Sequence, residues 1–331
     1  MSIDHSPLFG YISTMNRFLV NRIIAAVVTV SMLLSCESRP RLKPGEGFVD
    51  VQGGKIWYRV IGEGKGRPLL LTHGGPGGTS RSFYLFAELG KDRPLILFDQ
   101  LGSGRSGANE DTTLMTVDHF IEQVAALKAE LGLEAFYLHG HSWGTALALE
   151  YYTHHPEGIK GLIFNSPYFN TRIWKADADT LIMTLPDSVQ QAIRVGEQTG
   201  DFQSAGYLMA NEVYAKEFGV RKMRLLSDLD TVEAKGSKFI YNYMWGPTEF
   251  TATGTLKNYD NLDELPRVSV PTLFITGEYD EARPKTVATF QKLVKGSKFV
   301  VIEGAGHGTM HDNLKQNMGA IRMFLDSLDA M

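Results

Sequence analysis

Gly140-His141-Ser142-Trp143-Gly144 places a serine between two glycines, the G-x-S-x-G pattern of a nucleophile held on a sharp strand-to-helix turn. The apolar stretch 135–138 precedes it, and residues 145–152 follow with helical spacing. A serine hydroxyl is a weak nucleophile until a base takes its proton and an acid orients that base. Gly277-Glu278-Tyr279-Asp280 follows the apolar run 272–276, and Gly304-Ala305-Gly306-His307 follows the run 299–302. The chain order Ser142, Asp280, His307, with each residue just past a strand end, therefore predicts an acyl-transfer triad. Glu278 is the alternative acid; Asp280 has the better spacing from its strand. Among the other histidines, His119 falls in a helix, His139 inside a strand, and His154 and His155 at a helix end before Pro156. His311 is the nearest rival base and is expected on a surface or loop. His141 is expected to serve packing, because neighbours on such a turn point apart.

A second glycine-rich turn, His73-Gly74-Gly75-Pro76-Gly77, opens directly after the apolar residues 69–72. Small residues there let backbone N–H groups reach a substrate oxygen. The N–H of Trp143, next to the nucleophile, and that of Gly75 are the expected oxyanion donors.

These turns need elements to aim them. Short apolar runs at 68–72, 94–98, 135–138, 159–164, 272–276 and 299–302 are separated mostly by helix-length segments, including 117–131 and 316–328. That pattern predicts an α/β fold with a mostly parallel sheet and helices on both faces. Residues 48–51 and 55–61 flank Gly53-Gly54 as an antiparallel hairpin. From 168 to 256 the sequence is helical and aromatic-rich, which reads as an insertion between two halves of one sheet. The expected organisation is a core at 47–167 and 257–331 with a helical cap at 168–256. Lysine and arginine number 33 against 37 acidic residues, with no long basic run, so nucleic acid is not an expected partner. One cysteine makes neither an internal disulfide nor a cysteine-based metal site.

That cysteine has a particular setting. Arg17 and Arg22 precede the uncharged run 23–34, which is 12 residues long and too short to span a bilayer as a helix. Positive charge followed by such a run reads as a signal peptide over 1–35, with Met15 an alternative start. Leu33-Leu34-Ser35-Cys36 resembles a bacterial lipobox, which makes Cys36 a lipidated mature N-terminus followed by a tether at 36–46. The plainer reading is a cleaved secretory signal with Cys36 incidental. Either reading places the mature chain outside the cytoplasm, in the bacterial envelope or periplasm.

His73 to Gly78, the segment Asp99-Gln100-Leu101-Gly102-Ser103-Gly104-Arg105-Ser106, the 140–144 turn and Gly277 to Asp280 together resemble the prolyl aminopeptidase (proline iminopeptidase) family. These are serine peptidases of the α/β-hydrolase superfamily, and the resemblance runs from about Gly47 to the C-terminus. It implies an α/β-hydrolase fold with a helical cap, no metal or cofactor, and removal of an N-terminal residue, often proline, from a short peptide. Residues 241–260 resemble the cap of the tricorn-interacting aminopeptidase subgroup and related amino-acid amidases, whose cap glutamates hold the substrate's free amine. Carried onto this chain, Glu249 matches well and Glu212 less closely, the alternative for either being an ordinary surface glutamate. His141 and Thr145 depart from relatives and are expected to leave the triad untouched. Two other readings stand beside this one: an amino-acid amidase or esterase with the same triad, and a non-catalytic ligand receptor on the same fold.

Overall fold

The computed structural model describes residues 42–222 and 235–330. The signal-peptide and lipobox region, Cys36 included, lies outside the described residues. In chain order the elements are β1 (Gly45–Val51), β2 (Gly54–Ile61), β3 (Leu69–Thr72), β4 (Leu95–Phe98), α1 (Val117–Glu130), β5 (Phe136–His141), α2 (Trp143–His154) and β6 (Ile159–Asn165). Then come α3 (Thr171–Ile182), α4 (Asp187–Thr199), α5 (Ala205–Tyr214), α6 (Lys238–Met244), β7 (Thr272–Gly277), α7 (Pro284–Leu293), β8 (Lys298–Ile302), α8 (Thr309–Asp312) and α9 (Leu314–Asp329).

The eight strands form one sheet in the order β1-β2-β4-β3-β5-β6-β7-β8. β1 and β2 form the antiparallel hairpin, β2 pairs antiparallel with β4, and every pairing from β4 to β8 is parallel. Sheet pairing begins at Gly45, opposite Val60, so the strand takes up the last residues of the expected tether. Glu46 is fixed there by an ion pair with Arg59.

Buried strands such as Leu69–Thr72, Leu95–Phe98 and Thr272–Gly277 are apolar on both faces because helices cover both. Side-chain alternation sorts each strand between two cores. Leu70, Ile96, Leu138, Leu162 and Phe274 pack with α1, α2 and α7 on one face. Leu69, Leu71, Leu95, Tyr137, Ile163 and Ile275 pack with Phe83, Phe86 and the α9 residues Ile321, Phe324 and Leu325 on the other.

The segment between β6 and β7 has a core of its own. Val189 and Ile193 of α4, Tyr207, Ala210 and Tyr214 of α5, Phe218 and Phe250 close on one another there. Tyr168 and Phe169 still belong to the sheet's core, as does Leu256. The chain leaves and rejoins the sheet at a bridge between Asn170 and Asp260. That neck lies a few residues past each expected cap boundary, with Tyr168 and Phe169 packed in the sheet's core before it.

Candidate active site

Parallel pairing puts the loops after β3, β5, β7 and β8 along one edge of the sheet, where ligands bind in folds of this kind. Ser142 sits on the turn from β5 into α2 with φ 56° and ψ −127°. A non-glycine residue at positive φ costs about 1–3 kcal/mol, which the surroundings must offset. Ser142 N–H donates to Asn165 O at 3.1 Å, and Thr145 Oγ1 donates to Ser142 O at 2.7 Å. A Cβ at Gly140 would stand 2.2 Å from Gly144 O, and one at Gly144 would stand 2.1 Å from Thr72 O. The flanking glycines are therefore required by backbone packing, not by flexibility. Thr145 does touch the nucleophile's turn, against the sequence expectation.

Asp280 is buried in the loop after β7, with Oδ1 2.8 Å from His307 Nδ1. Its oxygens also accept from Gly277 N, Ala282 N and Thr276 Oγ1, so the carboxylate has one orientation. Burial pushes Asp280 up, but the His307 charge and these donors hold it below the usual carboxylate range. For His307 burial acts downward, yet Asp280, Glu281 and Glu249 outweigh it and raise the imidazole to about 9. Nε2 of His307 has no hydrogen-bond partner among the described residues, so Ser142 Oγ is not yet bonded to it. Such contacts commonly tighten only when substrate binds. Glu278 points elsewhere: it accepts from Gly304 N at 2.9 Å, on the exposed side.

Two histidines differ from expectation. His141 touches the proposed base directly: its Nε2 donates to His307 O at 3.0 Å, and the two rings lie 5.0 Å apart. Burial, then His307, push His141 down to about 3, so it is a neutral donor. His311 is not on the surface. It is 7% exposed in α8, pairs with Ser82 Oγ at 2.9 Å and lines the same cavity as His307. The Gly308 carbonyl starts the α8 turn, which folds His311 inward. His139 is buried among Phe83 and Phe86 and, pushed down to about 3 by burial, stays neutral.

Gln100 joins the two loops that carry the expected oxyanion donors. Its N–H donates to His73 Nε2 at 3.0 Å, its amide donates to His73 O at 3.2 Å, and its Oε1 accepts from Trp143 Nε1 at 3.2 Å. Asp99 beside it accepts from Ser80 N and Oγ and from Arg105 N. Gly75 and Trp143 line one small pocket with Ser142. Trp143 is the first residue of α2, so its N–H has no partner within the helix. A Cβ at Gly74 would meet Ser142 Cβ at 2.9 Å, so only glycine lets the loop lie against the nucleophile.

Tyr168, Trp174, Trp245 and Leu256 complete the walls of that pocket, which Glu249 also lines. On its far side Glu249 faces a cavity of about 600 Å³, shared with His141, Glu212, Glu281 and His307. Burial pushes Glu249 up, with the nearby Tyr241 hydroxyl and His307 offsetting part of the effect. Glu212, on α5, is exposed at the cavity rim. Glu281, which sequence reasoning did not single out, is 3% exposed, with Oε1 3.8 Å from His307 Nδ1. Its one legible signal was its place immediately after Asp280.

Fold and site together define an α/β hydrolase, and residues 67–314 match the family described as the alpha/beta hydrolase fold. The chain is 38% identical to the proline iminopeptidase of Heyndrickxia coagulans over 86% of this chain and 99% of that one. It is 32% identical to the proline iminopeptidase of Saccharolobus solfataricus, over 86% and 93% respectively. Solved structures similar to it include VinJ (27% identity, TM-score 0.78, covering 86% of this chain and all of that one). A proline iminopeptidase of Mycobacterium smegmatis superposes with TM-score 0.77 at 26% identity, over 86% and 99%. The chain belongs to the proline iminopeptidase family and is a hydrolase.

Proposed function

We propose that this enzyme is a serine aminopeptidase that releases the N-terminal residue of short peptides through an acyl-enzyme, with Ser142, His307 and Asp280 as the triad. His307 Nε2 takes the Ser142 proton as Oγ attacks the scissile carbonyl, while Asp280 fixes the imidazole through Nδ1. The Gly75 and Trp143 N–H groups stabilise the oxyanion, each donor contributing about 10²–10³ in rate. His307 then protonates the leaving amine, and the shortened peptide departs. Water, deprotonated by the same imidazole, attacks the acyl carbonyl and releases the free amino acid.

The observation that carries this reading over a general esterase is Glu249. It is an acidic group reaching both the aromatic pocket at Ser142 and the cavity at His307. An exopeptidase must recognise the substrate's α-ammonium, and a desolvated carboxylate is stabilised by that cation. Tyr168, Trp174, Trp245 and Leu256 give the pocket at Ser142 an apolar, largely aromatic lining, which suits a small apolar side chain such as proline or alanine. The test is hydrolysis of prolyl, alanyl and leucyl p-nitroanilides beside their N-acetyl analogues. Comparable rates on blocked and free substrates reject the aminopeptidase reading.

The same proposal places the enzyme in the bacterial envelope, anchored through lipid on Cys36. Arg17 and Arg22 before the apolar run 23–34, and Leu33-Leu34-Ser35-Cys36 at its end, support this. Detergent partitioning and intact mass test it. An unmodified N-terminus downstream of 36 in a soluble fraction overturns the anchor.

A further inference from the structure

We infer that Asp312 is a positioning residue for the base, clamping the loop that carries His307 onto residues 218–222 of the inserted segment. The inference rests on His307 as the base of the triad proposed above and names what holds that base within reach of Ser142.

Asp312 brackets His307 on both sides. Its Oδ2 accepts from the N–H of Gly306, the residue before the base, at 2.8 Å. Its own N–H donates to the carbonyl of Gly308, the residue after the base, at 3.0 Å. Its Oδ1 accepts from Lys222 N–H and so reaches across to the inserted segment. Two backbone bonds join the same stretches: His307 N–H donates to Phe218 O at 2.7 Å, and Gly308 N–H to Gly219 O at 2.9 Å. The approach is close. A Cβ at Gly306 would stand 2.6 Å from Gly219 O, and one at Gly308 would stand 2.6 Å from Val220 Cγ2.

The inserted segment supplies these acceptors for a local reason. It leaves α5 through a π-helical turn, Ala215–Gly219, and the last carbonyls of a helix have no partner within it. The base's loop takes them. Asp312 then closes the contact from the other side, and the chemistry of its side chain suits the task. It is 7% exposed, and each of its oxygens is met by a backbone N–H. A buried carboxylate is costly without such donors, and bonds to an ionised acceptor are stronger than neutral ones. An amide in its place offers one acceptor and sets N–H against N–H at the other position. Asp280 fixes the ring of His307, whereas Asp312 fixes the main chain that carries the ring. Because His307 Nε2 has no partner among the described residues, its reach to Ser142 Oγ depends on where that main chain is held. A displacement of about 1 Å at such a contact costs about 10²-fold in rate.

The experiment compares the full-length enzyme with Asp312→Ala and Asp312→Asn on p-nitrophenyl butyrate and on alanyl p-nitroanilide. Rates are expressed per active site, counted by fluorophosphonate labelling of Ser142 taken to its end point. In Asp312→Ala kcat is expected to fall about a hundredfold, and in Asp312→Asn about tenfold, with KM within about twofold on both substrates. Hydrogen exchange is expected to quicken together in peptides covering 306–308 and 218–222, since both lose the same clamp. If Asp312→Ala does not fold, Asp312→Asn, which keeps one acceptor, decides by the same readings. An unchanged kcat per active site, with fewer active sites, makes Asp312 a support of folding alone and overturns the inference. A loss carried by KM, or confined to the amine substrate, overturns it as well. Activity retained by His307→Ala would instead remove the base assignment on which the inference rests. Failure of the aminopeptidase reading appears separately, in the comparison of free and N-acetylated substrates, and the ester still decides for Asp312.

Discussion

His141 and His307 are joined across the nucleophile's turn: Nε2 of the first donates to the carbonyl oxygen of the second at 3.0 Å. Ser166 Oγ donates to the same carbonyl at 3.0 Å, and His307 N–H donates to Phe218 O at 2.7 Å. The base is thus held by its backbone as well as by Asp280. His141→Ala removes one of these ties. It is expected to lower kcat about tenfold, the value of one hydrogen bond, with KM little changed. His141→Gln, which keeps an N–H donor, should recover part of that loss. A change confined to KM would assign His141 to the pocket wall instead.

The triad gives the largest effects. Ser142→Ala and His307→Ala are each expected to lower kcat by about 10⁶, and Asp280→Asn by about 10⁴, through the wrong imidazole tautomer. Melting temperatures should stay near that of the unaltered protein for the serine variant, since the hydrogen bonds that hold the turn are made by the Ser142 backbone and not by its hydroxyl. A Ser142→Ala protein keeping a tenth of the activity would end the nucleophile assignment.

Glu249→Gln tests the cap side of the amine subsite. The loss of a charge-assisted contact with an ammonium should lower kcat/KM for aminoacyl p-nitroanilides about ten- to a hundredfold. An ester without an amine should respond far less, because the triad geometry does not depend on this side chain. Equal losses on both substrate types would make Glu249 a general support of the site.

The pH profile follows from the charges around His307. Asp280 and Glu281 face it from the β7 loop and Glu249 from the inserted segment, while His141 at the end of β5 stays neutral. The free-enzyme imidazole, raised to about 9, is protonated below that pH and accepts no proton. For an ester lacking an amine, kcat/KM should therefore climb with pH up to about 9. An aminoacyl substrate brings a cation against these carboxylates and lowers the imidazole's affinity for its proton. Its kcat should then reach a plateau at lower pH than the ester's kcat/KM. Coincident acid limbs for the two substrates would refute this coupling.

The sequence by itself determined the sheet and the reactive turn. Runs such as 69–72 and 272–276 are buried at every position and apolar except for threonines at their ends, and that pattern is legible residue by residue. The nucleophile's turn is legible for the same local reason, since Gly140 and Gly144 answer to backbone only a few residues or one strand away. Asp280 and His307 were placed by counting from strand ends, which works when a parallel sheet brings all its C-terminal ends to one edge. Only the tertiary structure decided what meets across that edge. His311 turns inward onto Ser82, Gln100 ties His73 to Trp143, and Glu281 rather than Glu212 lies buried beside His307. Each of these contacts joins segments far apart in the chain. A glutamate's sequence neighbours do not fix whether it faces solvent or a cavity, because burial is set by the elements that pack over it. Here those elements come from the inserted segment, whose seat on the sheet no local pattern encodes.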